Sequence, residues 1–149
     1  METDTASQGP VSGLRLHNLA LAAGDLENTV VWYENVLGFV VTERGRLDSI
    51  GANYVMMEAS GLRIELVSRP YAEHQRVDRT ASPHHIDVLG YKAIVLETDD
   101  LLATTSALQR HGVEFVWTNR PLGQRRCSTM LRDPEGNLIN IIGPIRAAA

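Results

Sequence analysis

The chain has 149 residues, of which 44% are hydrophobic and 21% charged, enough apolar material for one shared core and well away from disordered or membrane compositions. A net charge of -4, with no basic cluster interleaved with aromatics, excludes a nucleic-acid backbone as partner and points to small molecules instead. Cys127 is the only cysteine, so no internal disulfide forms; a reducing, cytoplasmic setting is expected, with Cys127 packing as a small hydrophobe.

Residues 1–13 lack a basic stretch followed by an apolar one, so they read as a flexible tail rather than a signal peptide. No run of about 18 apolar residues is present, and no membrane span is expected. Residues 14–22 then alternate as a strand does. Asp25 is a helix N-cap, Leu26, Val30, Tyr33 and Leu37 mark one helical face, and Gly38 sits where a left-handed terminating residue is wanted. Trp32 and Tyr33 on that helix read as packing residues. Strands are expected near residues 39–43, 54–58 and 62–67.

Residues 68–88, with Pro70, Pro83, His74, His84 and His85, read as a linker whose histidines are solvated. After it the order of elements recurs. A shift of 75 residues lays 14–21 on 89–96, Asp25 on Asp100, and 61–67 on 136–142. Asp100 would cap a second helix carrying Leu101, Thr105 and Leu108 and stopping at Gly112; strands are expected near 115–118, 127–131 and 138–142. Asp133-Pro134-Glu135-Gly136-Asn137 is a turn. The organisation expected is a first βαβββ module at 14–67, the linker at 68–88, a second module at 89–144 and a tail at 145–149.

Residues 16–21 with Asp25-Leu26, Trp32-Tyr33 and Leu37-Gly38-Phe39, and the ending at 133–139, resemble the vicinal oxygen chelate superfamily of glyoxalases, bleomycin-resistance proteins and dioxygenases. The resemblance implies an α+β fold in which two βαβββ modules make a half-open, curved sheet barrel. It also implies a cleft holding a divalent metal, with ligands from the first and last strands of each module. At those positions the first module has His17 and Glu65, which match, while the second has Lys92 and Asn140, which do not. Members of the superfamily span epimerases, dioxygenases and metal-free antibiotic-binding proteins, so the fold alone names no reaction.

On alternating strands His17, Glu65, Lys92 and Asn140 are expected to converge in one apolar cleft. Two ligands beside an ammonium make a poor divalent site, so no cofactor is expected unless His74, His84 or His85 completes a shell. Three readings stand. In the first, Lys92 supplies the metal's positive charge, Glu65 or His17 moves a proton next to a carbonyl, and Asn140 donates a hydrogen bond, as for an isomerase, epimerase, lyase or cyclase. In the second, Lys92 and Glu65 neutralise one another in a binding or sequestration protein. In the third, His17 and Glu65 hold a metal for glyoxalase-like or dioxygenase-like chemistry. Arg63, Tyr54, Met56, Trp117 and Met130 are candidate substrate contacts. Exposed sheet edges make a homodimer the expected assembly.

Overall fold

A computed structural model describes residues 13–73, 80 and 84–145. The tails outside that range and His74 lie beyond the described residues. The elements run β1 (Leu19–Ala22), α1 (Leu26–Leu37), β2 (Val40–Leu47), β3 (Ala52–Ala59) and β4 (Leu62–Ser68). A short 3₁₀ turn (His84–Asp87) precedes β5 (Ala93–Glu97), α2 (Leu101–Gln109), β6 (Glu114–Leu122), β7 (Arg126–Arg132) and β8 (Leu138–Pro144). Two open four-stranded sheets result, ordered β1-β4-β3-β2 and β5-β8-β7-β6, each with one helix on it. This is the α+β architecture of paired βαβββ units that the sequence implies.

Local chemistry accounts for the helices. Asp25 Oδ1 accepts from Asn28 N at 3.0 Å, and Asp100 Oδ1 accepts from Ala103 N at 3.0 Å, so both caps act as expected. Gly38 ends α1 in the left-handed conformation at φ 70°, which costs a glycine nothing. Helix α2 stops at Gln109, three residues short of Gly112, whose own φ is 62°. The first strand is shorter than its alternation promised, because residues 14–18 find no ladder partner.

The repeat persists in the hydrogen-bonded register. Leu19 pairs with Ile64 and Ala20 with Glu65 across β1 and β4; Ile94 pairs with Ile139 and Val95 with Asn140 across β5 and β8. All four pairs obey the same shift of 75. Apolar alternation sends Leu19, Leu21, Ile64, Leu66, Val55 and Met57 toward α1, where they pack with Val30 and Tyr33. Each fully buried side chain of this size stabilises the fold by about 1.5–3 kcal/mol.

The modules are joined by the turn 133–137. Asp133 Oδ1 accepts from Glu135 N and Asn137 N, and Oδ2 accepts from Asn137 Nδ2 and, at 2.8 Å, from the buried Tyr33 hydroxyl of α1. Burial and the Asp133 carboxylate push the Tyr33 phenol well above its ordinary range. Glu135 Oε1 accepts from Gly24 N and Asp25 N at the start of α1. A cavity of about 250 Å³ lies where the end of α1 meets α2 and the helix side of β5 and β8, lined by Val36, Leu37, Leu96, Leu108 and Ile141.

Candidate functional site

Residues paired across neighbouring strands point to the same side of a sheet. The register therefore places Ala20, Ala22, Arg63, Glu65, Val67, Met56 and Tyr54 on the side of the first sheet turned away from α1. Just before β1, Asn18 meets this face through its bond to Glu65, and His17 through the approach of its Nε2 to Arg63. The second sheet presents Ala93, Val95, Asn140, Ile142, Met130, Ser128, Trp117 and Arg120 in the same way.

Of the expected set His17, Glu65, Lys92 and Asn140, the ladders place Glu65 and Asn140 on the open faces, and contacts through Asn18 and Arg63 bring His17 to the Glu65 side. His17 and Lys92 precede β1 and β5 and stand outside the paired ladders. The repeat-related positions on the open faces are Asn18 with Glu65, and Ala93 with Asn140. Lys92 forms no ion pair with Glu65 among the described residues, so mutual neutralisation of these two charges is not how the site is built.

His17 is connected to Glu65 through Asn18. Asn18 Nδ2 donates to Glu65 Oε2 at 3.3 Å, while Asn18 Oδ1 faces His17 Nδ1. On the other side of the ring, Arg63 Nη1 lies 3.3 Å from His17 Nε2, and Arg63 Nε donates to Glu58. The two contacts fix the tautomer. Nδ1 must carry the proton to donate to the amide oxygen, leaving the Nε2 lone pair for the guanidinium. His17 thus orients Asn18, and Asn18 holds the half-buried Glu65 carboxylate. Met56 is the cross-strand neighbour of Glu65. Tyr54, two residues away, is tied to Glu43, whose hydrogen bond holds the phenol above its ordinary range. Arg63 thus spends two of its five N–H donors on Glu58 and His17, and its side chain stays 39% exposed.

On the second sheet Trp117, Met130 and Asn140 come together as neighbours across β6, β7 and β8. Trp117 Nε1 donates to Ser128 Oγ at 2.8 Å, and the Arg120 guanidinium lies 5.2 Å from the Trp117 ring centroid. The His85 ring approaches Trp117 edge to face at 6.3 Å, so this linker histidine is half buried against the sheet rather than solvated. His84 does remain at the surface, beside Asp87.

Asn18, Arg120, Ser128 and His85 escape a reading based on residue type. For Asn18 the signal was nonetheless present: pairing Leu19 and Leu21 with the apolar set Ile64 and Leu66 leaves Asn18 on the side of Glu65. For His85 no local signal exists, because a long-range ring contact places it.

The donor set was tested against a divalent metal. Among the described residues no group of three or more His, Cys, Asp or Glu side chains is gathered for an ion. Of His17, Glu65, Lys92 and Asn140, only His17 and Glu65 are imidazole or anionic donors, and a catalytic divalent site ordinarily takes three protein ligands. The residues do not fit the group.

Comparison with known proteins agrees with this architecture. A domain from Frankia sp. EAN1pec of the glyoxylase/bleomycin resistance protein/dioxygenase type superposes with a TM-score of 0.71 at 17% identity, covering 92% of this chain and 96% of that one. A glyoxalase family protein from Bacillus cereus gives 0.70 at 21% identity, covering 94% and 100%. At these identities the likeness concerns fold. By sequence the chain is 27% identical over 107 residues to the human mitochondrial methylmalonyl-CoA epimerase, covering 68% of this chain but only 56% of that protein. Among the described residues no helix is long and apolar enough to cross a membrane. The family model matches residues 15–141, and the chain belongs to the Glyoxalase/Bleomycin resistance protein/Dioxygenase superfamily.

Proposed function

We propose that this protein is a metal-independent enzyme that moves a proton at a carbon next to a carbonyl, in the manner of an isomerase or epimerase. The observation that carries the reading is the Asn18-to-Glu65 hydrogen bond on the open face of the first sheet. The Asn18 amide holds the half-buried Glu65 carboxylate on the open face, where a general base needs to meet its substrate. Glu65 takes the proton from the substrate carbon and the electron pair moves onto the carbonyl oxygen; the Glu65 carboxyl then returns a proton to the neighbouring carbon in an isomerisation, while for inversion water delivers a proton to the opposite face and Glu65 gives its own to solvent. His17 keeps Asn18 in place. Lys92, half buried and in no ion pair with the described residues, supplies positive charge for the developing enolate by reaching around the exposed edge of β5. The partial match to an epimerase supports this class of chemistry without fixing the substrate.

Capture of a small molecule without chemistry is the competing reading. It draws on Asn140, which replaces a titratable residue at the position related to Glu65. The two are separated by incubating the protein in D₂O with a panel of 2-substituted malonyl and 2-hydroxyacyl compounds and following the α-hydrogen by NMR. Solvent deuterium entering the α-position supports the enzyme. Stoichiometric binding by calorimetry with no label uptake by any compound rejects it. Uncovered edges at β1, β2, β5 and β6 also favour a homodimer, which light scattering on the purified chain tests.

A further inference from the structure

The second sheet's open face carries two polar atoms that the fold leaves unsatisfied. Asn140 Oδ1 and His85 Nδ1 are both buried and find no hydrogen-bond partner among the described residues. Burying such an atom unpaired is unfavourable, so two beside one face mark a surface shaped for something other than protein. Their surroundings are those of a binding site. Met130, the cross-strand neighbour of Asn140, is 5% exposed and gives an apolar floor, and Ser128 beside it is fully buried. Trp117 makes an aromatic wall, its only donor already committed to Ser128, and His85 lies against its edge. At the rim Arg120 rests on the Trp117 ring and forms no salt bridge with the described residues, so its guanidinium is available to an anion.

We propose that this face, with His85 folded over it, recognises a small anionic molecule bearing a hydroxyl or amide donor. The anion sits on Arg120, the apolar body packs on Trp117 and Met130, and the donor group reaches Asn140 Oδ1 with His85 Nδ1 as its second polar neighbour. The assignment rests on the reading of the open faces as a small-molecule cleft, but not on any proton transfer. It reverses the role expected of Asn140, which accepts a hydrogen bond here. It also gives the two modules different duties: the first holds the basic carboxylate and the second selects the ligand.

The test uses the full chain and three probes of equal carbon count: 3-hydroxybutyrate, butyrate, which lacks the donor, and 1,3-butanediol, which lacks the anion. Binding is read by tryptophan fluorescence. Of the two tryptophans, Trp32 lies on α1 edge-on to Tyr33, so a ligand-dependent change reports Trp117. Saturable binding of 3-hydroxybutyrate at least tenfold tighter than either comparison probe is expected. Asn140→Leu should bring 3-hydroxybutyrate and butyrate to equal affinity. Arg120→Gln, at an exposed position that leaves folding intact, should equalise 3-hydroxybutyrate and 1,3-butanediol. Equal affinities in the unmodified protein, no saturable binding, or preferences that survive both substitutions would overturn the proposal. Deuterium exchange is scored separately. Exchange without this binding pattern sinks the recognition site alone, and the binding pattern without exchange sinks the enzymatic reading alone.

Discussion

The Tyr33 hydroxyl donates to Asp133 Oδ2 across 100 residues of sequence, in a fully buried contact that ties helix α1 of the first module to the last turn of the second. Tyr33→Phe keeps the ring packing on Trp32 and Phe39 but leaves the carboxylate one donor short. A loss of about 1–2 kcal/mol in urea denaturation is expected. Asp133→Ala should cost about 3 kcal/mol or more, because the same side chain also accepts from Glu135 N, Asn137 N and Asn137 Nδ2.

The contact also sets an alkaline limit. In the unfolded chain Tyr33 ionises near its ordinary value of 10.0, whereas in the folded protein burial and Asp133 hold the proton on. A pKa raised by folding gives stability that is complete below the unfolded value and lost as pH rises above it. Above about pH 10 this group alone should therefore lower stability by about 1.4 kcal/mol per pH unit. Urea midpoints measured from pH 8 to 11 should show the decline in the unmodified protein and a shallower one in Tyr33→Phe.

For the proposed chemistry, Glu65→Gln is expected to lower α-hydrogen exchange by about 100-fold or more while thermal stability stays unchanged, since removing a general base costs that much. Asn18→Leu should reduce exchange less and shift its pH profile, as befits a positioning residue. A rate retained in Glu65→Gln would remove Glu65 from the mechanism.

Lys92→Met tests the charge assigned to the β5 edge. A fall in kcat of at least about tenfold with unchanged folding is expected from loss of a preorganised cation. An unaltered kcat would remove Lys92 from the mechanism.

Dialysis against EDTA should leave exchange activity as it was, with less than stoichiometric transition metal by elemental analysis. Activity lost to the chelator and restored by one divalent ion would restore the glyoxalase-like reading.

Much of this molecule is legible in its residues, because short-range rules and the repeat govern most of it. The caps at Asp25 and Asp100, the stop at Gly38 and the strand order follow from local chemistry and the 75-residue shift. The site was less legible. His17 looks like the metal-site residue by type, but it stands before the first ladder pair, Leu19 opposite Ile64, and touches Asn18 and Arg63 rather than Glu65 itself. His85 and the Tyr33–Asp133 pair depend on approaches between distant segments, which no local pattern encodes.

The hydrogen bonds from Gly24 and Asp25 to Glu135 have a consequence for how the protein is made. About 110 residues separate donor and acceptor, so when α1 leaves the ribosome the turn that anchors its first residues has not been translated. Pairing at such separation is slow to close, and the first module must wait with its Tyr33 hydroxyl unanchored until the turn of the second module has been made. Final consolidation is thus an event of the whole polypeptide rather than of either half, and a nascent chain arrested before residue 133 would be the form most exposed to proteases and to aggregation.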